Sequence, residues 1–200
     1  CHTRLFFGRD FGSVSKWLHW SIFILIVLML LSGNFMGDIP NKELKSLCVL
    51  LHKAFGVLIF FLTAARLAWA FMNRRPKLPG KMSKIELMLA NIMKNLLYVT
   101  LLAIPVTGWL MVSAKHYSIN MFGLFNFPLA PMTLNRHIGH FWHEVHELVA
   151  WTLIVLVSLH ALAALKHHFY DKDNVLNSML PKRKRTVVKT DVKKRLRKYD

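Results

Sequence analysis

Four long apolar segments dominate the sequence and constrain its fold more than any other feature. The segments are 17–36, 48–71, 96–114 and 145–165. Each approaches or exceeds the roughly 20 residues that an α-helix needs to cross the hydrocarbon core of a bilayer. The first and third contain no Asp, Glu, Lys or Arg. Only helices and closed barrels cross lipid, and runs of this length are too continuous for barrel strands. The sequence therefore predicts an all-α membrane four-helix bundle.

Basic residues are distributed unevenly among the polar parts of the chain. They cluster before the first segment, between the second and third, and after the fourth, as Arg4, Arg9, Lys16, Arg74, Arg75, Lys77, Lys81, Lys84, Lys94 and much of 181–200. The other two connections hold only Lys42, Lys45, Lys115 and Arg136. By the positive-inside rule we predict an up-and-down bundle in a bacterial inner membrane, with both termini cytoplasmic. The net charge of +17 then reflects topology, and no nucleic-acid partner is predicted.

The chain divides into three parts around these segments. We predict a cytoplasmic lead at 1–16, a membrane domain at 17–168 and a basic cytoplasmic tail at 169–200. The last part of the tail, 181–200, is expected to lie on anionic lipid headgroups, and a partner-binding role for it stays open.

Four histidines lie within the apolar segments at matching depths. His19 is near the start of the first segment and His160 toward the end of the fourth, so alternating helices bring both to the cytoplasmic leaflet. His52 and His146 similarly share the outer leaflet. Ionisable side chains in a bilayer are costly and usually functional. A haem iron takes one imidazole on each face, and the two pairs therefore predict two non-covalently held haems.

Helical phase distinguishes these histidines from the others in the chain. His146 and His160 are 14 residues apart, which places them about 40° apart around a helix and about 21 Å apart along it. His143 is about 100° from the face of His160. His146 is therefore preferred as the outer ligand, and His143 stays open as an alternative. His167 and His168 follow the last segment and are expected at the headgroups.

Two other kinds of metal centre are disfavoured. Cys1 and Cys48 are the only cysteines and there is no CxxCH motif, which excludes covalent attachment of a c-type haem. A zinc site needs about four ligands that converge on one ion, whereas the two histidine pairs are expected a bilayer apart.

Three further residues of the second segment are candidates for cofactor binding. Arg66 follows His52 by 14 residues and shares its face at the cytoplasmic level. Its guanidinium is expected either to pair with a propionate of the inner haem or to reach the headgroups. Lys53 is a candidate for the same role at the outer haem. Gly56, one turn from His52, would let a macrocycle approach the backbone or let two helices pack closely.

Four stretches carry a resemblance to a known family. They are KWLHW in the first segment, LHKAFGVLIFFLTAARLAW in the second, IPVTGWLM in the third and HELVAWTLIVLVSLHALAALKHHF in the fourth. Over residues 14–180 the chain resembles the bacterial cytochrome b561 family of four-helix dihaem membrane proteins. The resemblance implies two haems b, with His19 and His160 as ligands of the cytoplasmic one and His52 and His146 of the outer one. It also implies electron exchange with a quinone. Some members are regarded as superoxide oxidases, which pass an electron from superoxide to ubiquinone.

The predicted function is therefore transmembrane electron transfer by two haems b, coupled to a quinone. A superoxide:ubiquinone oxidoreductase is its most specific form, in which Lys53, Lys115 and Arg136 would steer the superoxide anion. The expected partners are membrane lipid, ubiquinone, and superoxide or a redox protein as donor. One alternative is a cytochrome b subunit that anchors a dehydrogenase or hydrogenase. A less favoured one is a His-lined ion or metal transporter.

Overall fold

A computed structural model describes residues 12–73, 83–172 and 175–180. Within these ranges the fold is carried by four long helices: α1 at Ser13–Phe35, α2 at Lys42–Met72, α3 at Lys84–Ala114 and α4 at Arg136–Phe169. Each is long and apolar enough to cross a membrane, with a mean hydropathy between 1.9 and 2.3. The predicted all-α membrane bundle is confirmed. Residues 1–11 of the predicted lead and 181–200 of the predicted tail lie outside the described residues.

Three helices begin before their apolar segments because polar side chains cap them there. Asn41 accepts a hydrogen bond from the Leu44 amide at the start of α2, and Asn135 caps α4 in the same way. At α3, Ser83 and Glu86 each accept the other's backbone N–H in a capping box. These oxygens satisfy N–H groups that have no partner within the helix. The connections are therefore shorter than the apolar segments alone suggest.

Successive helices pack against each other and alternate in direction. Lys166 near the end of α4 forms an ion pair of 3.0 Å with Glu86 in the first turn of α3. Arg66 near the end of α2 lies beside His19 near the start of α1. Each contact joins the end of one helix to the start of its neighbour, so α1 and α2 are antiparallel, as are α3 and α4, which agrees with the predicted up-and-down bundle.

A small apolar core occupies the middle of the bundle. Ile22 and Ile26 of α1 and Leu153 of α4 are buried there, and Leu101 and Ile104 of α3 pack against them. Large apolar side chains elsewhere on all four helices remain exposed. So much outward apolar surface would promote aggregation in water, whereas lipid accommodates it.

The connection between α3 and α4 contains a β-hairpin that the sequence did not predict. Strand β1 at Ile119–Met121 pairs in antiparallel fashion with β2 at Phe125–Phe127. Gly123 supplies a positive φ of 81° in the turn, a conformation that glycine adopts without a steric penalty. Ile119 is buried and packs in a cluster with Val57 of α2. The hairpin therefore covers one end of the bundle.

A short helix, α5 at Val175–Met179, forms part of the segment predicted as the tail. Trp20 Nε1 donates a hydrogen bond of 2.9 Å to the Met179 carbonyl, and Lys16 Nζ donates one of 3.0 Å to the Leu180 carbonyl. The chain after α4 therefore returns to the first turns of α1.

Candidate functional site

Two histidine pairs face each other across the bundle, at two levels. The rings of His19 on α1 and His160 on α4 have centroids 6.3 Å apart, with planes at 86°. The rings of His52 on α2 and His146 on α4 have centroids 6.5 Å apart, with planes at 77°. We call these the inner pair and the outer pair, after the leaflets predicted for them. Leu153 of the apolar core lies midway between the two histidines of α4.

The structure distinguishes His146 from its neighbours on α4. The ring of His146 points into the bundle toward His52, whereas His143 and His140 are exposed. His167, beyond the inner pair, lies 3.0 Å from Asp171. Helical phase predicts His146, and His146 is the histidine that lies opposite His52.

Hydrogen bonds at the outer pair fix which ring nitrogen carries a proton. His146 Nδ1 lies 3.0 Å from the Ile104 carbonyl, which can only accept, so this nitrogen donates. His52 Nδ1 lies 2.8 Å from Ser32 Oγ. The Ser32 hydroxyl already donates to the Met29 carbonyl, so it accepts from His52. In a neutral imidazole with Nδ1 protonated, Nε2 keeps its lone pair for a metal.

The spacing of both pairs fits two imidazoles that bind one metal ion from opposite sides. Imidazole nitrogens bind transition metals at about 2 Å, and each ring centroid lies roughly 1 Å behind its nitrogen, which puts the centroids about 6 Å apart. The separations of 6.3 and 6.5 Å match this value. At the outer pair the carbonyl and hydroxyl partners also orient the ligands, as is usual around metal sites. The spacing of both pairs, and the hydrogen bonds of the outer pair, therefore fit a haem held between two histidines.

Two glycines give the outer histidines room beside the backbone. A Cβ added to Gly108 on α3 would lie 3.1 Å from His146 Cε1, and one added to Gly33 on α1 would lie 3.3 Å from His52 Cε1. Both distances are shorter than ordinary van der Waals contacts of a Cβ atom. At Gly56, the glycine singled out from the sequence, an added Cβ would meet Met29 Cε at an ordinary 3.7 Å. A macrocycle at Gly56 stays a prediction.

The two predicted basic side chains lie at different places. Arg66 Nη1 lies 2.6 Å from His19 Nδ1, so its guanidinium is at the inner pair. Because a guanidinium only donates, this contact has to open and the His19 proton has to move from Nε2 to Nδ1 before Nε2 can hold a metal. Lys53 Nζ donates to the Ser118 carbonyl over 2.8 Å, and this contact ties α2 to the start of the hairpin. Pairing of either residue with a propionate stays a prediction.

Sequence reasoning did not single out Ser32, Gly33 or Thr63. Gly33 follows His19 by the same 14-residue interval that separates His146 from His160, and this interval could have identified it. Thr63 on α2 is fully buried, and its hydroxyl has no hydrogen-bond partner among the described residues. It lies one turn before Arg66, on the helix that also carries His52.

Comparison with known proteins agrees with this arrangement. The family model of prokaryotic cytochrome b561 matches residues 10–182. Cytochrome b561 homolog 2 of Escherichia coli K12 is 30% identical over 86% of this chain and 92% of its own length. Cytochrome b561 homolog 1 of the same organism is 27% identical, over 87% and 98%. A probable superoxide oxidase, CybB, of Yersinia pestis is 28% identical over 88% of this chain and 98% of its own length.

The family model covers all four long helices and both histidine pairs. A cytochrome b of this family binds haem b, and the four apolar helices place it in a bacterial membrane as a multi-pass protein. The chain belongs to the prokaryotic cytochrome b561 family and is a membrane cytochrome b that functions in electron transfer.

Proposed function

We propose that this cytochrome carries two haems b, moves electrons between the two leaflets and exchanges them with a quinone. His19 and His160 would hold the haem in the cytoplasmic leaflet, and His52 and His146 would hold the one in the outer leaflet. The observation that carries the proposal is the pair of facing imidazoles at each level, with centroids 6.3 and 6.5 Å apart. When bound, haem supplies reversible one-electron chemistry at iron.

The chain's own residues hold the ligands and shape their surroundings. Ser32 and the Ile104 carbonyl accept the Nδ1 protons of the outer ligands and fix their orientation. With two histidines at each level committed to one iron, a substrate would exchange electrons at the edge of the site. Ile22, Ile26 and Leu153 exclude water between the levels and keep the dielectric constant low there.

We propose that superoxide is the electron donor and ubiquinone the acceptor. The similarity to a probable superoxide oxidase supports this choice. Cations at the outer side would attract the superoxide anion. Of the three candidates, Lys53 and Lys115 are half-buried and Arg136 is exposed. Each superoxide loses one electron to become O₂, and two electrons with two protons convert the quinone to quinol.

The charge distribution supports an inner-membrane location with both termini cytoplasmic. Of the described connections, the one between α1 and α2 and the one between α3 and α4 are poor in Lys and Arg. These are the outer connections in the proposed orientation. Reporter fusions at each end of the chain and in the hairpin would test this orientation. A reporter that works only in the cytoplasm should be active at both ends and inactive in the hairpin. An exported terminal reporter would reverse the assignment of the two pairs.

Spectroscopy and kinetics on the purified protein test the function. The protein in detergent, expressed with ample haem supply, should contain two haems b per chain. Superoxide generated in the assay should reduce ubiquinone faster than in a matched haem-free control. A colourless preparation would overturn the haem assignment. If the protein contains two haems but superoxide reduces ubiquinone no faster than in the control, the protein is a dihaem cytochrome and superoxide is not its donor.

A further inference from the structure

The exposed side of α4 carries a cluster of metal-ligating side chains near its outer end. An imidazole nitrogen of His143 and carboxylate oxygens of Glu144 and Glu147 all lie within 4.8 Å of one another. His140 Nε2 lies 3.7 Å from Glu144 Oε1 and extends the cluster. We propose that His143, Glu144 and Glu147 bind one first-row transition-metal dication, such as Zn²⁺ or Cu²⁺, with His140 as an additional donor.

Helix geometry lets these side chains close around one ion. His143 and Glu147 are four residues apart and therefore lie one turn apart on the same side of α4, as do His140 and Glu144. Metal–ligand bonds of about 2.0–2.2 Å bring neighbouring donor atoms to about 3 Å. Because all these side chains are exposed, rotamer changes can contract the cluster from 4.8 Å without moving the helix.

The charges around the cluster also favour a cation. The chain has 27 Lys and Arg residues against 10 Asp and Glu. Even so, no Lys or Arg in the described ranges forms an ion pair with Glu144 or Glu147. The two carboxylates lie close together and repel each other, and a dication would remove that repulsion. The imidazole donors favour zinc or copper over magnesium or calcium, which prefer oxygen ligands alone.

This site is separate from the outer pair. His143 and His146 are three residues apart, which turns their side chains about 60° from each other around α4. His146 faces His52 inside the bundle, while His143 is exposed. A metal at the cluster therefore takes no ligand from the outer pair, and the proposal does not depend on the proposed function.

Zinc titration of the full chain tests the site. The protein is purified in detergent with a tag that contains no histidine, and Zn²⁺ binding is followed by calorimetry. We expect one site per chain whose affinity falls at least about tenfold in the double variant His143→Asn/Glu147→Gln. With Cu²⁺ as the probe, electron paramagnetic resonance should show imidazole nitrogen coupling that weakens or disappears in His143→Asn.

The matched control is His137→Asn. His137 is also an exposed histidine of α4 but is not one of the clustered residues, so this variant should bind Zn²⁺ like the unmodified protein. Unchanged haem absorption and circular dichroism would show that each variant is folded. Equal zinc affinity in the double variant and the unmodified protein would overturn the proposal, as would an equal loss in His137→Asn.

Discussion

Gly108 of α3 lies so close to the ring of His146 that a Cβ there would be 3.1 Å from His146 Cε1. The contact makes one glycine a steric determinant of where the outer imidazole sits.

Gly108→Ala should displace His146 and lower the occupancy of the outer haem. The added methyl group requires the ring to move by a few tenths of an ångström, and ligand positions around metals tolerate little displacement. The measurement is haem content per chain. Gly37→Ala is the control, because nothing lies within 4 Å of a Cβ at Gly37. Full occupancy of both haems in Gly108→Ala would contradict the prediction.

Removal of a single histidine should abolish one haem and retain the other. His52→Ala and His146→Ala should abolish the same haem signal, and His19→Ala and His160→Ala the other, because each pair shares one iron in the proposed function. Reduced-minus-oxidised spectra and haem content measure the result. His143→Ala should retain both haems. Loss of the outer haem in His143→Ala with retention in His146→Ala would show that the helical-phase argument is wrong.

Ser32→Ala should weaken the outer site more than Thr107→Val. Ser32 Oγ is the hydrogen-bond partner of His52 Nδ1 at 2.8 Å, whereas His146 Nδ1 keeps the Ile104 carbonyl when Thr107 Oγ1 is removed. Loss of such a partner typically costs about 10-fold or more in metal affinity. Rates of haem transfer to apomyoglobin compare the variants. Faster loss from Thr107→Val than from Ser32→Ala would contradict the prediction.

Arg66→Gln should lower the reduction potential of the inner haem. The guanidinium, 2.6 Å from His19 Nδ1, carries a positive charge that favours the reduced, less positive iron, so its removal favours the oxidised state. Potentiometric titration resolves the two haems. Lys53→Gln, at the opposite end of α2, should leave the inner potential unchanged. An unchanged inner potential in Arg66→Gln would show that this charge is screened.

Trp20→Phe should loosen α5 from α1. The variant keeps an aromatic ring but loses the hydrogen bond of 2.9 Å to the Met179 carbonyl. Such a bond contributes about 1 kcal/mol, or roughly fivefold in the opening equilibrium. Hydrogen exchange in 175–179 measures the change. Trp109→Phe is the control, because the Trp109 indole N–H donates to the Pro128 carbonyl in the connection between α3 and α4 and does not contact α5. If residues 175–179 exchange equally fast in Trp20→Phe and Trp109→Phe, the hydrogen bond from Trp20 does not hold α5 in place.

The sequence by itself determined the number of membrane helices and the position of each histidine along its helix. Long apolar runs leave the backbone no alternative to helix in lipid, because every N–H and C=O must be satisfied within the segment. Spacing along α4 then put His146 and His160 on one face, and helical phase favoured His146 over His143. These are local properties of a helix and need no knowledge of its neighbours.

Only the tertiary structure decided which side chains surround the histidines. The contacts of Ser32 with His52 and of Ile104 with His146 depend on how each helix is rotated and shifted against the next, and periodicity does not specify this. The β-hairpin and α5 likewise depend on distant contacts, such as Ile119 with Val57 and Trp20 with Met179. Short elements of this kind gain their stability from packing rather than from their own propensity.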